Sequence, residues 1–273
     1  MGRRRSSGAI APLLRAFIIR YGIAIVIILI WQLVTMRANS LFFPTPMQIL
    51  SRAYELWLSG PAHRLFLGDG VFKDILPSLS RLLSGWTIAV VLGTSLSALI
   101  GRSQALRDLV DPALQFLRAI PGPALVPAFL ILLGTETTMR VTLIAFGSIW
   151  PVLLNTIEGV RTVEPLQLDT AKSFKLPPVA RFTRIILPAA LPKIMAGAKV
   201  SLSLAIILMV VSELVAATNG IGYRILDAQI MLLLPDLWCG IVLLALIGFG
   251  LNAIFERVEK RVLYWHRGVT SAN

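Results

Sequence analysis

Cysteine occurs once in 273 residues, histidine twice, and charged side chains make up only 15% of the chain. A lone Cys239 closes no intramolecular disulfide and builds no cysteine-based zinc site. Neither His63 nor His266 has a second histidine or a carboxylate at a spacing such as H-E-x-x-H, which argues against a metal or acid–base site built on them. No G-x-x-x-x-G-K-[ST] loop is present, so the sequence offers no cradle for nucleotide phosphates. Charge is also scarce for a water-facing surface, since a typical globular chain is about 25% charged.

What is abundant is apolar sequence, 56% of the residues, with a mean hydropathy of +0.78. A helix needs about 20 mostly apolar residues to cross roughly 30 Å of hydrocarbon. Six intervals approach or meet that length: 17–36, 82–101, 119–135, 141–157, 196–217 and 237–255. The interval 82–101, bounded by Arg81 and Arg102, is the cleanest. The third holds Pro121, Pro123 and Pro127 and is expected to be entered through an irregular, proline-kinked turn. The fifth carries Lys199 near its start and Glu213 near its end.

The net charge of +12, from 26 Lys and Arg against 14 Asp and Glu, has a topological reading. In a soluble domain it would point to nucleic acid; here the positive-inside rule applies instead. With an even number of spans and the N-terminus inside, 18 of the 26 basic residues fall on the inner side. Both termini are therefore expected to be cytoplasmic. The Arg3-Arg4-Arg5 start followed by an apolar run also resembles a signal peptide, but no A-x-A cleavage pattern follows it, which favours an uncleaved first span.

Two segments do not read as spans. The stretch 35–77, expected outside, contains Phe43-Pro44-Thr45-Pro46 and then apolar residues whose spacing suits a short amphipathic helix. Tyr54 and Trp57 are its candidate interfacial anchors; a packing arm for the bundle is the other reading. The stretch 158–192 predicts one short helix from Pro165 to Leu176 and a second beginning near Pro178, since paired prolines break a helix and proline suits its first position. Such a hairpin has too little apolar surface for a core of its own and needs a partner to dock against.

Asp169-Thr170-Ala171, then Lys175, then Ile185-x-Leu187-Pro188 follow the spacing of the E-A-A-x3-G-x9-I-x-L-P loop of ATP-binding-cassette importer permeases. Ser78-Leu79-Ser80-Arg81, Ile120-Pro121, Leu187-Pro188-Ala189-Ala190-Leu191-Pro192 and Glu213 followed by Asn219-Gly220-Ile221-Gly222-Tyr223 extend the likeness. Over roughly residues 30 to 265 the chain resembles the sulfonate/taurine/nitrate branch of that family. It departs from the loop pattern at Asp169 (Glu in the family), Thr170 (Ala) and Lys175 (Gly).

The resemblance implies an all-α, polytopic membrane protein of about six transmembrane helices, of type I importer form, in a bacterial inner membrane. It divides the chain into a cytoplasmic N-terminal segment 1–20, a permease domain 21–267 with a coupling loop 158–192, and a tail 268–273. It implies a homodimer of permeases, two ATPase subunits that bind ATP and Mg, and an extracytoplasmic substrate-binding protein, with no cofactor on this chain and no nucleic-acid partner. Leu168, Asp169, Thr170, Ala171, Phe174, Lys175, Ile185, Leu187 and Pro188 are the expected ATPase-docking residues. Glu213, Ser201 and Ser203, polar groups within a span, are candidates for the translocation pathway, with structural pairing and close packing as their alternatives. The substrate expected on resemblance is a small anion. An ion-gradient-driven secondary transporter is the competing class, but no internal repeat is visible. An intramembrane enzyme lacks histidine within a span and has only Cys239 to use.

Overall fold

The computed structural model describes residues 10–38, 40–101 and 103–265; the expected tail 268–273 and the first residues of the N-terminal segment lie outside these. Eleven helices account for nearly all of the described chain: α1 (Ile10–Ala38), α2 (Pro46–Trp57), α3 (Leu76–Gly101), α4 (Gln104–Ala119), α5 (Val126–Leu133), α6 (Thr137–Arg161), α7 (Pro165–Ser173), α8 (Pro178–Arg181), α9 (Leu187–Ala216), α10 (Ile221–Ile230) and α11 (Leu234–Val262). Among the described residues there is no strand.

Among the described residues, four continuous helical stretches are long and apolar enough to cross a membrane: Val71–Gly101, Thr137–Arg161, Pro178–Val215 and Leu234–Val262. Gly22–Ala38 of α1 is apolar but shorter, and α4 with Gly122–Leu133 forms a pair bent by 84°. The expected third span, 119–135, is thus not one helix. It is entered through a proline-bearing turn, as expected: Pro121 and Pro123 open a tight turn at Gly122–Leu125, and the α-helix α5 that follows has 8 residues, about 12 Å, ending at Gly134 with φ 69°.

The chain divides into two compact units. The first comprises 1–69 and 228–239. In it α2 opens with a full capping box: Gln48 N–H donates to Thr45 Oγ1 (3.2 Å) and Thr45 N–H to Gln48 Oε1 (2.9 Å). Arg52 bridges in two-pronged fashion to Asp236 (2.6 and 3.3 Å), and Ile49 is buried with its carbonyl accepting from Cys239 Sγ (3.2 Å).

The second unit, 70–227 and 240–273, is built on α3, α6 and α9. Lipid tails are as apolar as leucine, so helices in a bilayer associate through close fit and hydrogen bonds. One face of α3 carries Gly85, Ala89, Gly93, Ser97 and Gly101, all buried at four-residue spacing. A Cβ added at Gly85 would lie 2.7 Å from Ile144, at Gly93 3.1 Å from Val152, and at Gly101 2.9 Å from Val160. Hydroxyls join the helices: Ser97 Oγ donates to Leu153 O (2.8 Å) and Ser201 Oγ to Ser148 O (2.6 Å). Leu82, Ile144, Leu202, Met209 and Phe255 fill the core between them, with Trp86 edge-on to Phe255.

Candidate functional site

Two places in the second unit concentrate chemistry, one at each end of the helical stretch Pro178–Val215. The first is α7 with the start of that stretch. Pro165 sits at the first helical position, and α7 runs 9 residues, about 14 Å. The predicted helix to Leu176 stops three residues short. Lys175 takes a left-handed backbone (φ 53°), Lys175 N–H donates to Lys172 O (2.8 Å) and Leu176 N–H to Ala171 O (3.0 Å). This is a Schellman termination, whose left-handed position glycine normally occupies. The family's glycine is therefore the residue the geometry favours, and the lysine holds the same turn at a steric cost.

The other departures are also accommodated. Thr170 Oγ1 donates back to Leu166 O (2.7 Å), which satisfies its donor within α7. Asp169 is exposed and pairs with Lys172 Nζ at 2.9 Å. Of the apolar residues, Ala171 is buried (2% exposed) and Leu168 half-buried, which fixes α7 in place, whereas Leu166 and Phe174 stand 75% and 76% exposed. A groove of about 770 Å³ lies between α7 and the following helix, lined by Leu166, Thr170, Phe174, Ile185, Pro188 and Trp265. Leu187 is half-buried beside it.

The expected second short helix is not separate from the fifth span. Residues Pro178–Val215 form one helical stretch of 38 residues, about 57 Å long. Pro188 and Pro192 do not break it. The wide turn Phe182–Ile186, with i to i+5 bonding, precedes Leu187-Pro188 and absorbs the missing donor. The same device, Val71–Ile75, precedes Leu76-Pro77 at the start of α3.

At the far end, Glu213 is fully buried (0% exposed). Its Oε1 accepts from Arg81 Nη1 (2.8 Å), both oxygens lie 2.8 Å from Ser78 Oγ, and Oε2 accepts from Gly222 N–H (3.0 Å). Ser78 Oγ in turn accepts from Ile221 N–H (2.8 Å), and Arg81 donates to both the backbone and side-chain oxygens of Asn219. Gly220, at φ 115°, passes so close that a Cβ there would lie 2.5 Å from the Glu213 carboxylate. The segment 219–222 is thereby wrapped around one ion pair. Removing one partner of such a pair leaves an uncompensated buried charge, a loss of about 3–5 kcal/mol.

The two sequence motifs containing Ser78-Arg81 and Glu213…Gly222 thus meet in space. Arg81 marked the edge of an apolar interval, as a surface charge would; it is instead 4% exposed and inside the helix that begins before it. Arg140, at the edge of the fourth interval, is likewise buried. The available signal was complementarity: one arginine at a span edge and one glutamate within a span. Ser201 is buried in packing against α6, Ser203 is exposed, and Lys199 pairs with Glu256 (2.7 Å). Among the described residues no group of three His, Cys, Asp or Glu is arranged to hold a metal.

Residues 85–264 match the family described as binding-protein-dependent transport system inner membrane component. The chain is 31% identical over 242 residues to SsuC of Bacillus subtilis (strain 168), a permease protein named for aliphatic sulfonates transport, covering 88% of this chain and 84% of that one. It is 28% identical over 257 residues to the taurine transport system permease protein TauC of Escherichia coli (strain K12), covering 93% and 92%. A structure of the MetNI methionine ABC transporter matches in fold, with a TM-score of 0.59 at 15% identity over 69% of this chain and 94% of that one. The helical architecture, the two motif clusters and the family match agree: the chain belongs to the inner-membrane permease components of binding-protein-dependent ABC transport systems.

Proposed function

We propose that this chain forms, as a homodimer, the membrane pathway of an ATP-driven importer for a small anion of sulfonate, taurine or nitrate type, with both termini cytoplasmic. α7 docks into a separate ATPase that holds ATP and Mg, and an extracytoplasmic binding protein delivers the substrate. The observation that carries this reading is the exposure of Leu166 and Phe174 on a helix too short to stand alone, beside an open groove. An ATPase surface that covered these side chains would hold α7 as a lever.

The lever has a continuous continuation. Ile185 and Pro188 line the groove and Glu213 closes the other end of the same helical stretch. A displacement of the docked end is carried along that stretch to the segment 219–222, which Glu213 and Arg81 clamp. Transport then consists of switching one rigid element between two positions, biased by nucleotide on the partner.

Replacing Phe174 or Asp169 by arginine in the permease, reconstituted with its ATPase and binding protein, should lower ATP-dependent uptake at least about tenfold, as loss of an interface anchor does. Membrane insertion should be unchanged, because both side chains are exposed. Undiminished uptake in both variants would remove the docking assignment. Uptake by proteoliposomes lacking the ATPase would instead favour gradient-driven transport.

A further inference from the structure

We infer that α2 is a membrane-surface element, lying at headgroup level with one face on lipid. This goes beyond the transport reading, resting on the family's inner-membrane placement and not on α7 docking.

The helix has three faces. With 3.6 residues per turn, Ile49, Ala53 and Leu56 share one side; Ile49 is buried and the other two half-buried. Gln48, Ser51, Arg52 and Glu55 occupy a polar arc of about 100°. Between these lies a third arc, with Met47, Leu50, Tyr54 and Leu58 all exposed at i, i+3, i+7 and i+11. A helix packed on protein along one side needs no second apolar stripe. A helix half-sunk in an interface does, with its polar arc turned to water.

The level of α2 is set by bonds within its own unit. Met47 N–H donates to Gln32 Oε1 (3.2 Å), and Gln32 lies six residues, about 9 Å, inside the end of α1. Around Gln32, α1 presents Ile27, Ile30, Leu33 and Val34 to its surroundings, an apolar surface suited to hydrocarbon. α2 therefore starts beside a span end and not beyond it. Trp31, Phe43 and Trp238 cluster at the same place, with ring centroids 5.3 and 5.8 Å from that of Trp238, and Trp238 Nε1 donates to Phe42 O (3.1 Å). Aromatic groups of this kind collect where hydrocarbon meets headgroups.

The loop after α2 adds an independent sign. Leu65 and Phe66, adjacent and both exposed, hold left-handed backbones (φ 53° and 62°). Gly60 N–H donates to Phe66 O (2.9 Å) and Gly68 N–H to Trp57 O (2.9 Å), pinning the loop to the end of α2. Two large apolar side chains held out on an unfavourable backbone are suited to insertion into an apolar phase.

The test places an environment-sensitive fluorophore on Leu50→Cys, Tyr54→Cys and Glu55→Cys in the full chain, reconstituted in phosphatidylethanolamine–phosphatidylglycerol vesicles. The native Cys239 is buried and serves as the unlabelled background. Lipid spin-labelled near the glycerol should quench the probes at 50 and 54 at least about twofold more than aqueous iodide does, and the order should reverse at 55, as expected of an interfacial helix. Probes at 50 and 54 shielded from both quenchers would assign the stripe to a second copy of the chain and overturn the proposal. So would probes open to iodide and covered only on addition of the binding protein. Two positions on the stripe guard against one variant failing to fold, and size-exclusion profiles identify such a failure.

Discussion

At the Glu213 end of the stretch Pro178–Val215, both oxygens of a buried carboxylate meet donors, and the segment 219–222 is folded tightly about them. At the Pro178 end, Leu166, Phe174 and Val179 are three-quarters exposed beside an open groove. The first arrangement answers its carboxylate within the chain, Arg81 Nε being left without a hydrogen-bond partner among the described residues; the second has apolar surface left over. A polar cluster that satisfies itself holds structure, whereas an apolar surface without cover is an interface in waiting.

Breaking the closed end should cost most. Arg81→Met strands Glu213 and should lower stability by about 3–5 kcal/mol, read as thermal unfolding of the purified permease. The double variant Arg81→Met with Glu213→Leu should recover a large part of that loss; a double variant as unstable as the sum of the singles would mean that the two do not act as a pair. Gly220→Ala should follow, at about 2–3 kcal/mol, since it strains a left-handed backbone and presses a methyl on the Glu213 carboxylate; an unchanged unfolding midpoint would mean the segment 219–222 is free to move away. At the open end the same measurement should barely move. Phe174→Arg should change stability by no more than about 0.5 kcal/mol while abolishing coupled uptake. Lys175→Gly should give a small gain: it relieves a left-handed lysine and should add about 0.5–1 kcal/mol, offset in part by glycine's entropy. A loss there would show that the lysine side chain does something the turn does not require.

Much of this contrast was legible in the sequence. Apolar intervals located α3, α6 and α11 because their length and freedom from charge are set by the same hydrocarbon thickness. Pro165 marked the start of α7, since a missing donor is harmless there. The misreadings have physical causes as well. The short helix expected to begin near Pro178 runs on into the fifth span, because a widened turn at Phe182–Ile186 precedes Leu187-Pro188, and Pro192 sits inside α9. Arg81 and Arg140 read as surface boundaries because charge is normally exposed, and only three-dimensional proximity reveals the carboxylate that holds Arg81 inside. Asp169, Thr170 and Lys175 read as departures; each has a local partner or turn within α7 and its end.

The glycine face of α3 has a further consequence for how this protein can move. Opposite Gly85, Gly93 and Gly101 stand Ile144, Val152 and Val160, and between those bulky residues α6 places Ser148 and Thr156, which are buried too. β-branched contacts against the glycines therefore recur with an eight-residue period on α6, twice the four-residue period of the small residues on α3. Sliding one helix by a single turn, about 5.4 Å, would drive Ile144 towards Ala89 and Val152 towards Ser97. The pair works like a key with one setting, and ratcheting along its axis is closed to it. Any motion of this part of the chain would carry α3 and α6 together as one block.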